Sequence, residues 1–157
     1  MTQTYLEPLS TNALTQLGVP DDWTFGVADR VRFSELDALN HVNHTTYLRW
    51  FESLRIAYMK AYQVSDMSPN APRVVLKSVA AEYRAAMFLD EEYVVVGRTA
   101  AFRNSSFTME YAVFSGGLRV EGSAVVVLLT QDESSKAQLN ETARAAMIAR
   151  DGARDDR

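Results

Sequence analysis

An α+β domain, a curved antiparallel sheet of about five strands wrapped around one long central helix, is the fold class this sequence predicts. Three observations carry that prediction. One strand-like alternation runs directly into a stretch with helical spacing, Tyr47, Phe51, Leu54 and Tyr58. Four further strand-like runs then follow, separated by turn residues and by no second helix. A chain of 157 residues, 47% hydrophobic and 23% charged, suits one core.

The elements divide into a leader (1–22), a central domain (23–131) and a C-terminal segment (132–157). In the leader, Leu9, Leu14 and Leu17 form a short amphipathic patch ended by Gly18 and Pro20, which reads as a packed leader or short helix. From Trp23 to Phe33 the apolar residues Trp23, Phe25, Val27, Val31 and Phe33 alternate with smaller or charged ones, predicting a half-buried strand. The next element changes period. Leu48, Trp50 and Ala57 widen the apolar face of a helix over Thr45 to Tyr62 until only Arg49, Glu52, Ser53 and Lys60 remain polar, so the helix is enveloped. Pro69 and Pro72 bracket a loop, and strands are predicted at Arg73–Arg84, Glu91–Phe102, Ser105–Phe114 and Leu118–Thr130, with hairpin breaks at Arg103-Asn104 and Ser115-Gly116-Gly117. The last strand is valine-rich, as a strand covered by a helix should be. A tail helix starts at the N-cap Asn140 and stops near Gly152, and the charged end "ARDDR" is predicted to fray. Five strands around one helix leave an edge and part of a face uncovered, which predicts a homodimer, or a dimer of dimers.

Composition excludes several functions. With 16 basic against 20 acidic residues the formal charge is -4, and no basic stripe stands out, so nucleic-acid binding is not predicted. The absence of cysteine removes disulfides, thiolate metal sites and thiol nucleophiles, leaving oxygen and imidazole chemistry. No basic n-region precedes an apolar core, and no run of about 18 apolar residues occurs, so neither export nor a membrane is predicted and the cytoplasm is the expected location.

The densest polarity lies at "SELDALNHVNHTTYLRWF", which holds both histidines, an acidic pair and two asparagines directly before the helix. Asp37, in a loop ahead of an enveloped helix, is placed to attack a carbonyl, to deprotonate water, or simply to cap a turn. The first free N–H groups of the helix form a natural oxyanion site. Asn43 reads as the helix cap. His41 and His44 read as lining a polar pocket, or, with Asp37, as a two-histidine-one-carboxylate metal face. Tyr47, Trp50 and Phe51 read as core, Tyr47 lying one turn into the helix where it can touch an acyl pocket. Glu52 and Arg55 read as an ion pair or dimer-contact pair.

The run "RVRFSELDALNHVNHTTYLRWFESLRIAYM" resembles the opening of the 4-hydroxybenzoyl-CoA thioesterase-like hotdog proteins. "SVAAEYRAAMFLDEEYVVVGRTAAFRNSSFTMEYAVF" resembles their second to fourth strands, so the likeness covers Phe25 to Thr130. Three positions depart from the family pattern: Glu35 stands for the first aspartate, Asn40 for a glycine, and Ala85-Ala86 where proline is common. Asparagine tolerates the left-handed turn a glycine would take. The resemblance implies an acyl-CoA thioesterase that releases a free acid and coenzyme A without metal or organic cofactor. It implies Asp37 as the catalytic carboxylate, the backbone N–H of His44 as oxyanion donor, and Ser106 as a serine facing the site. Coenzyme A carries phosphates, for which Arg84, Arg98 and Arg103 are candidate contacts, solvated strand arginines being the plainer reading. The predicted substrate contacts are therefore His41, Asn43, Tyr47, Arg84, Arg103 and Ser106. The rivals are a non-catalytic hotdog module that binds acyl groups or acts as a scaffold, and a metal-dependent hydrolase using Asp37, His41 and His44.

Overall fold

The computed structural model describes residues 4–157, so the first three residues of the predicted leader lie outside the described residues. A six-stranded sheet runs in the order β1-β3-β4-β5-β2. The five strands in that order are β1 (Gly26–Arg30), β2 (Arg73–Tyr83), β3 (Glu92–Phe102), β4 (Ser106–Phe114) and β5 (Leu118–Leu129), antiparallel to their neighbours, and the sixth, off this path, is a short strand that pairs with β3. The helix α2 (His44–Ala61) follows β1, as its apolar period requires, and lies across the inner face of the sheet. Phe51 stacks on Tyr111 with ring centroids 4.7 Å apart. The approach is close because Gly122 faces Phe51: a Cβ there would stand 2.5 Å from the Phe51 ring. One-residue bulges beside Lys77 in β2 and Ala100 in β3 break the register and bend the sheet.

The four later strands fall within a residue or two of their predicted bounds, but the first does not. β1 is only five residues long and is buried on both faces, not half-buried. The leader explains this: Leu14 of α1 (Thr11–Gln16), Val19 and the partly buried Tyr5, Leu9 and Trp23 form a second cluster with Ala28, Val94, Val96 and Ala112, covering the outer face of β1, β3 and β4. Trp23 precedes the strand and lies under the Arg98 guanidinium, 4.3 Å from the ring centroid. Phe33 sits in a 3-10 turn, Phe33–Glu35, with 79% of its surface exposed. Leu17, counted in the predicted apolar patch, is 41% exposed.

At the other end α3 (Glu141–Asp151) has Asn140 as its N-cap and Gly152, φ 66°, as its left-handed stop, both as predicted. The tail does not fray. β1 is short and leaves part of the β3 edge open, and β6 (Arg154–Asp155) pairs there in parallel with Ala101 and Phe102. Asp151 ties this segment to the core by accepting hydrogen bonds from the hydroxyls of Tyr58 (2.5 Å) and Tyr62 (2.6 Å) and from the Thr99 N–H (2.8 Å). Among the described residues no helix is long and apolar enough to cross a membrane.

Candidate active site

The Asp37 loop is built by short-range hydrogen bonds. The Asp37 N–H donates to the His41 carbonyl (3.0 Å) and the Asn40 N–H to the Asp37 carbonyl (3.0 Å). Asn40 takes φ 61°, the left-handed conformation a glycine would otherwise supply. The Asp37 carboxylate takes part as well, Oδ1 accepting from the Leu39 N–H at 2.8 Å, while Oδ2 has no hydrogen bond among the described residues. The turn-capping and chemical readings of Asp37 are thus compatible, since one oxygen serves the turn and leaves the other free. Outside the loop, the Val42 N–H donates to the Met87 carbonyl and the Asn43 N–H to the Glu35 carbonyl, pinning it to the strand connection and to the 3-10 turn.

Asn43 caps α2: its side-chain oxygen accepts from the Thr45 N–H (2.8 Å) and the Thr45 hydroxyl (2.7 Å), and its carbonyl from the Thr46 N–H (2.9 Å). The helix begins one residue earlier than predicted, at His44. The His44 N–H is the first of the helix and has no acceptor among the described residues. It sits at the positive end of an 18-residue helix dipole. The His44 carbonyl accepts from the Tyr83 hydroxyl at 3.1 Å, joining the helix start to the end of β2.

These residues surround a pocket of about 360 Å³ lined by Asp37, His41, Val42, His44, Tyr47, Tyr83, Arg84, Ala85 and Ala86. Its floor is aromatic. Tyr47 packs edge-on against Trp50, which stacks on Tyr93 at 3.9 Å. Burial, assisted by the Glu91 charge, pushes the Tyr47 hydroxyl up to about 12, so it stays a neutral donor at ordinary pH. His41 meets Phe88 edge-on and lies with Nδ1 4.0 Å from Asp37 Oδ1, too far for a hydrogen bond. Among the described residues no group of three or more His, Asp or Glu side chains is arranged to hold a metal ion, so Asp37, His41 and His44 do not form the metal face considered from sequence.

The structure brings together Asp37, His41, His44, Tyr47 and Arg84, with Asn43 forming the helix start beside them. It does not bring Arg103 and Ser106 to the same pocket of the same chain. Both lie at the β3–β4 hairpin, where the Arg103 N–H donates to the Ser106 carbonyl. Arg84 and Arg98 are committed to carboxylates, Arg84 to Glu82 and Glu121, Arg98 to Asp22 and Glu110. Arg55 contacts Glu52 at 3.8 Å but is itself buried, donating to the Tyr111 hydroxyl. Tyr83 was missed in the sequence, because nothing local to β2 says that its end crosses the start of α2. Glu35, the other carboxylate of the loop, faces away from the pocket's chemistry: it accepts from the Trp50 indole N–H (3.0 Å) and the Arg32 N–H (2.9 Å).

Known proteins resemble this chain in fold and sequence. A thioesterase-superfamily crystal structure from Jannaschia sp. CCS1 superposes with a TM-score of 0.93 at 48% identity, over 97% of this chain and 98% of that one. A Thermus thermophilus thioesterase complexed with coenzyme A and zinc has a TM-score of 0.70 at 31% identity, over 81% of this chain and 94% of that one. The uncharacterized protein YsmA of Bacillus subtilis is 34% identical over 113 residues, which are 68% of this chain and 73% of that one. The sequence model of the thioesterase-like superfamily matches residues 31–147, from the end of β1 into α3, and therefore spans both the Asp37 loop and the sheet that supports it. By its sequence, its fold and the region that builds its pocket, the chain belongs to the thioesterase-like superfamily.

Proposed function

We propose that this chain hydrolyses acyl-CoA thioesters to a free carboxylic acid and coenzyme A. The observation that carries the reading is one pocket holding a carboxylate with a free oxygen, Asp37, beside the unpaired first N–H of a long helix, that of His44. Attack on a thioester carbonyl moves negative charge onto its oxygen, which the His44 N–H and the helix dipole stabilise. Asp37 acts either as nucleophile, giving a mixed anhydride and a departing thiolate before water cleaves the anhydride, or as the base that takes a proton from an attacking water. The imidazole of His44 is not needed for either route. Tyr47, Tyr83 and His41 supply walls that suit the acyl group, and Asn43 fixes the helix start. The proposed setting is the cytoplasm, where coenzyme A thioesters are metabolised.

A homodimer is part of the proposal. β2 is an edge strand of 11 residues, and Val75, Leu76, Val79 and Tyr83 on it are 36%, 42%, 42% and 49% exposed. A long apolar edge of this kind invites pairing with a second copy. Sedimentation at micromolar concentration should give a dimer or a dimer of dimers, and an active monomer would count against it.

The testing experiment is Asp37→Asn on a panel of acyl-CoA esters with thiol detection. Asparagine keeps an oxygen for the Leu39 N–H, so folding and coenzyme A binding should persist while turnover falls by about 10²-fold or more. Unchanged turnover would remove Asp37 from the mechanism.

A further inference from the structure

We propose that Arg119 of β5 is a positioning residue that fixes the width of the Asp37 pocket, and with it the bulk of the acyl group that the site accepts. The inference rests on the thioester-hydrolysing reading above. The pocket lies between two stretches of chain, one carrying Asp37, His41, Val42, His44 and Tyr47, the other Tyr83, Arg84, Ala85 and Ala86. A hydrogen-bonded turn and a helix hold the first stretch. The second runs past the end of β2 into the connection to β3, residues 84–91, which belongs to no helix or strand. Such a segment keeps its place only through the partners that its main chain finds. Arg119 holds three consecutive residues of it: its carbonyl accepts from the Arg84 N–H (2.8 Å) and the Ala85 N–H (3.2 Å), and its guanidinium donates to the Ala86 carbonyl (2.5 Å).

The guanidinium is itself fixed. Its Nε donates to the Ser115 carbonyl (2.8 Å), and Nη2 stands 3.5 Å from the carboxylate of Glu91, at the far end of the connection. Glu91 in turn accepts from the Phe88 N–H (3.0 Å) and the Ser115 hydroxyl (2.9 Å), so one Arg–Glu pair grips the connection at both ends. Both side chains are partly buried, where hydrogen bonds to charged groups are strong. The grip reaches the Asp37 loop through the next residue. Met87 follows Ala86, and its carbonyl accepts from the Val42 N–H (2.8 Å), between His41 and the helix start at His44. Burial and the Glu91 charge raise the Tyr47 hydroxyl while the Arg119 charge lowers it, so the pair stands close to the pocket's aromatic floor. Ala85 and Ala86 have no side chain beyond Cβ to adjust, and the position of their main chain therefore decides the room left for an acyl group in a pocket of about 360 Å³. A wall made of main chain and anchored by a cation on another strand gives way when the cation is removed.

The test is Arg119→Met, which keeps much of the side chain's length but removes its charge and both hydrogen bonds. kcat/KM is measured by thiol release on straight-chain acyl-CoA esters from butanoyl to dodecanoyl. The ratio of kcat/KM for the longest ester to that for the shortest should rise about tenfold as the released wall widens the gap. That ratio does not depend on how much of the enzyme is folded, so a residue that only stabilises the fold leaves it where it was. An unchanged or lowered ratio would overturn the proposal. Asp151→Ala, which loosens the other end of α2, is the control and should keep the wild-type ratio; a shift as large as that of Arg119→Met would also overturn it. Should Arg119→Met not fold, Arg119→Lys carries the same measurement. It keeps the charge but reaches only one of the two carbonyls, so the ratio should rise about threefold, and no rise would overturn the proposal. Hydrogen exchange separates the clamp from the hydrolytic reading. In Arg119→Met the Val42 amide should exchange at least about tenfold faster relative to the Val95 amide of β3 than it does in the wild type. That result supports the clamp even if no ester is hydrolysed, and wild-type protection at Val42 overturns it even if hydrolysis is fast.

Discussion

Glu35 and Asp37 lie two residues apart in one loop, and the structure gives them different work, which makes Glu35 the sharpest test of the site. Its side chain is 14% exposed and accepts from the Trp50 indole N–H and the Arg32 N–H, with the Arg32 guanidinium 3.9 Å away. Glu35→Ala leaves the indole N–H of a residue only 6% exposed without its acceptor, and frees the Arg32 N–H as well. At about 1–3 kcal/mol for a buried unsatisfied donor the indole dominates the loss, because the Arg32 N–H belongs to an exposed residue and can bind water instead. Arg32 keeps its bidentate pair with Asp29, so its charge is not orphaned. In a chain of this length such a loss lowers Tm by about 2–12 °C. Glu35→Gln retains one acceptor oxygen for the indole and loses only the second bond, so it should cost about 1 kcal/mol. The assay is thermal unfolding of both variants by circular dichroism, with hydrolysis measured well below the lower Tm. There Glu35→Gln should keep turnover within a few-fold of wild type. If Glu35→Gln abolished hydrolysis while melting at the wild-type temperature, Glu35 would be doing chemistry and the division of labour in the loop would be wrong.

Asp151→Ala should destabilise by about 2–4 kcal/mol, since it removes the acceptor shared by the Tyr58 and Tyr62 hydroxyls, both on fully buried side chains, and by the Thr99 N–H. A wild-type urea midpoint for that variant would show that α3 is held by its apolar face alone. Alkaline stability should reveal the buried phenols. Burial raises the hydroxyls of Tyr58, Tyr62, Tyr93 and Tyr111, and that of Tyr47 to about 12. Because the folded chain holds these protons more tightly than the unfolded one, the stability they confer is whole below about pH 10 and is lost as pH climbs toward the folded values. The loss approaches about 1.4 kcal/mol per pH unit for each phenol. A urea midpoint that stays level from about pH 9 to pH 12 would contradict the burial of these side chains.

Short-range features of this protein were legible in its sequence. The helix was visible in the spacing of Tyr47, Phe51, Leu54 and Tyr58, its cap in Asn43, the end of α3 in Gly152, and the hairpins in their turn residues, since each depends on neighbours a few positions away. The Asp37 loop and the start of α2 were legible for the same reason: carboxylate, left-handed Asn40, cap and first helical N–H are contiguous, and local hydrogen bonds assemble them. Other features depended on strands distant in the sequence meeting in register. The leader turns an alternating pattern into a strand buried on both faces, which no period within β1 reveals. Arg84 is ion-paired with Glu121, 37 positions away, because β2 and β5 pair so that the two sit near one another. Arg103 and Ser106 end up across the sheet from Asp37 because β3 and β4 turn at the opposite end from β2's close. The sequence by itself determined the elements and the Asp37 loop, through spacing and capping that act within a few residues. Which cations are paired, which carboxylate holds the indole of Trp50 and which edge of the sheet stays exposed were decided only by the tertiary structure, because charge neutralisation and burial are properties of the whole packed sheet.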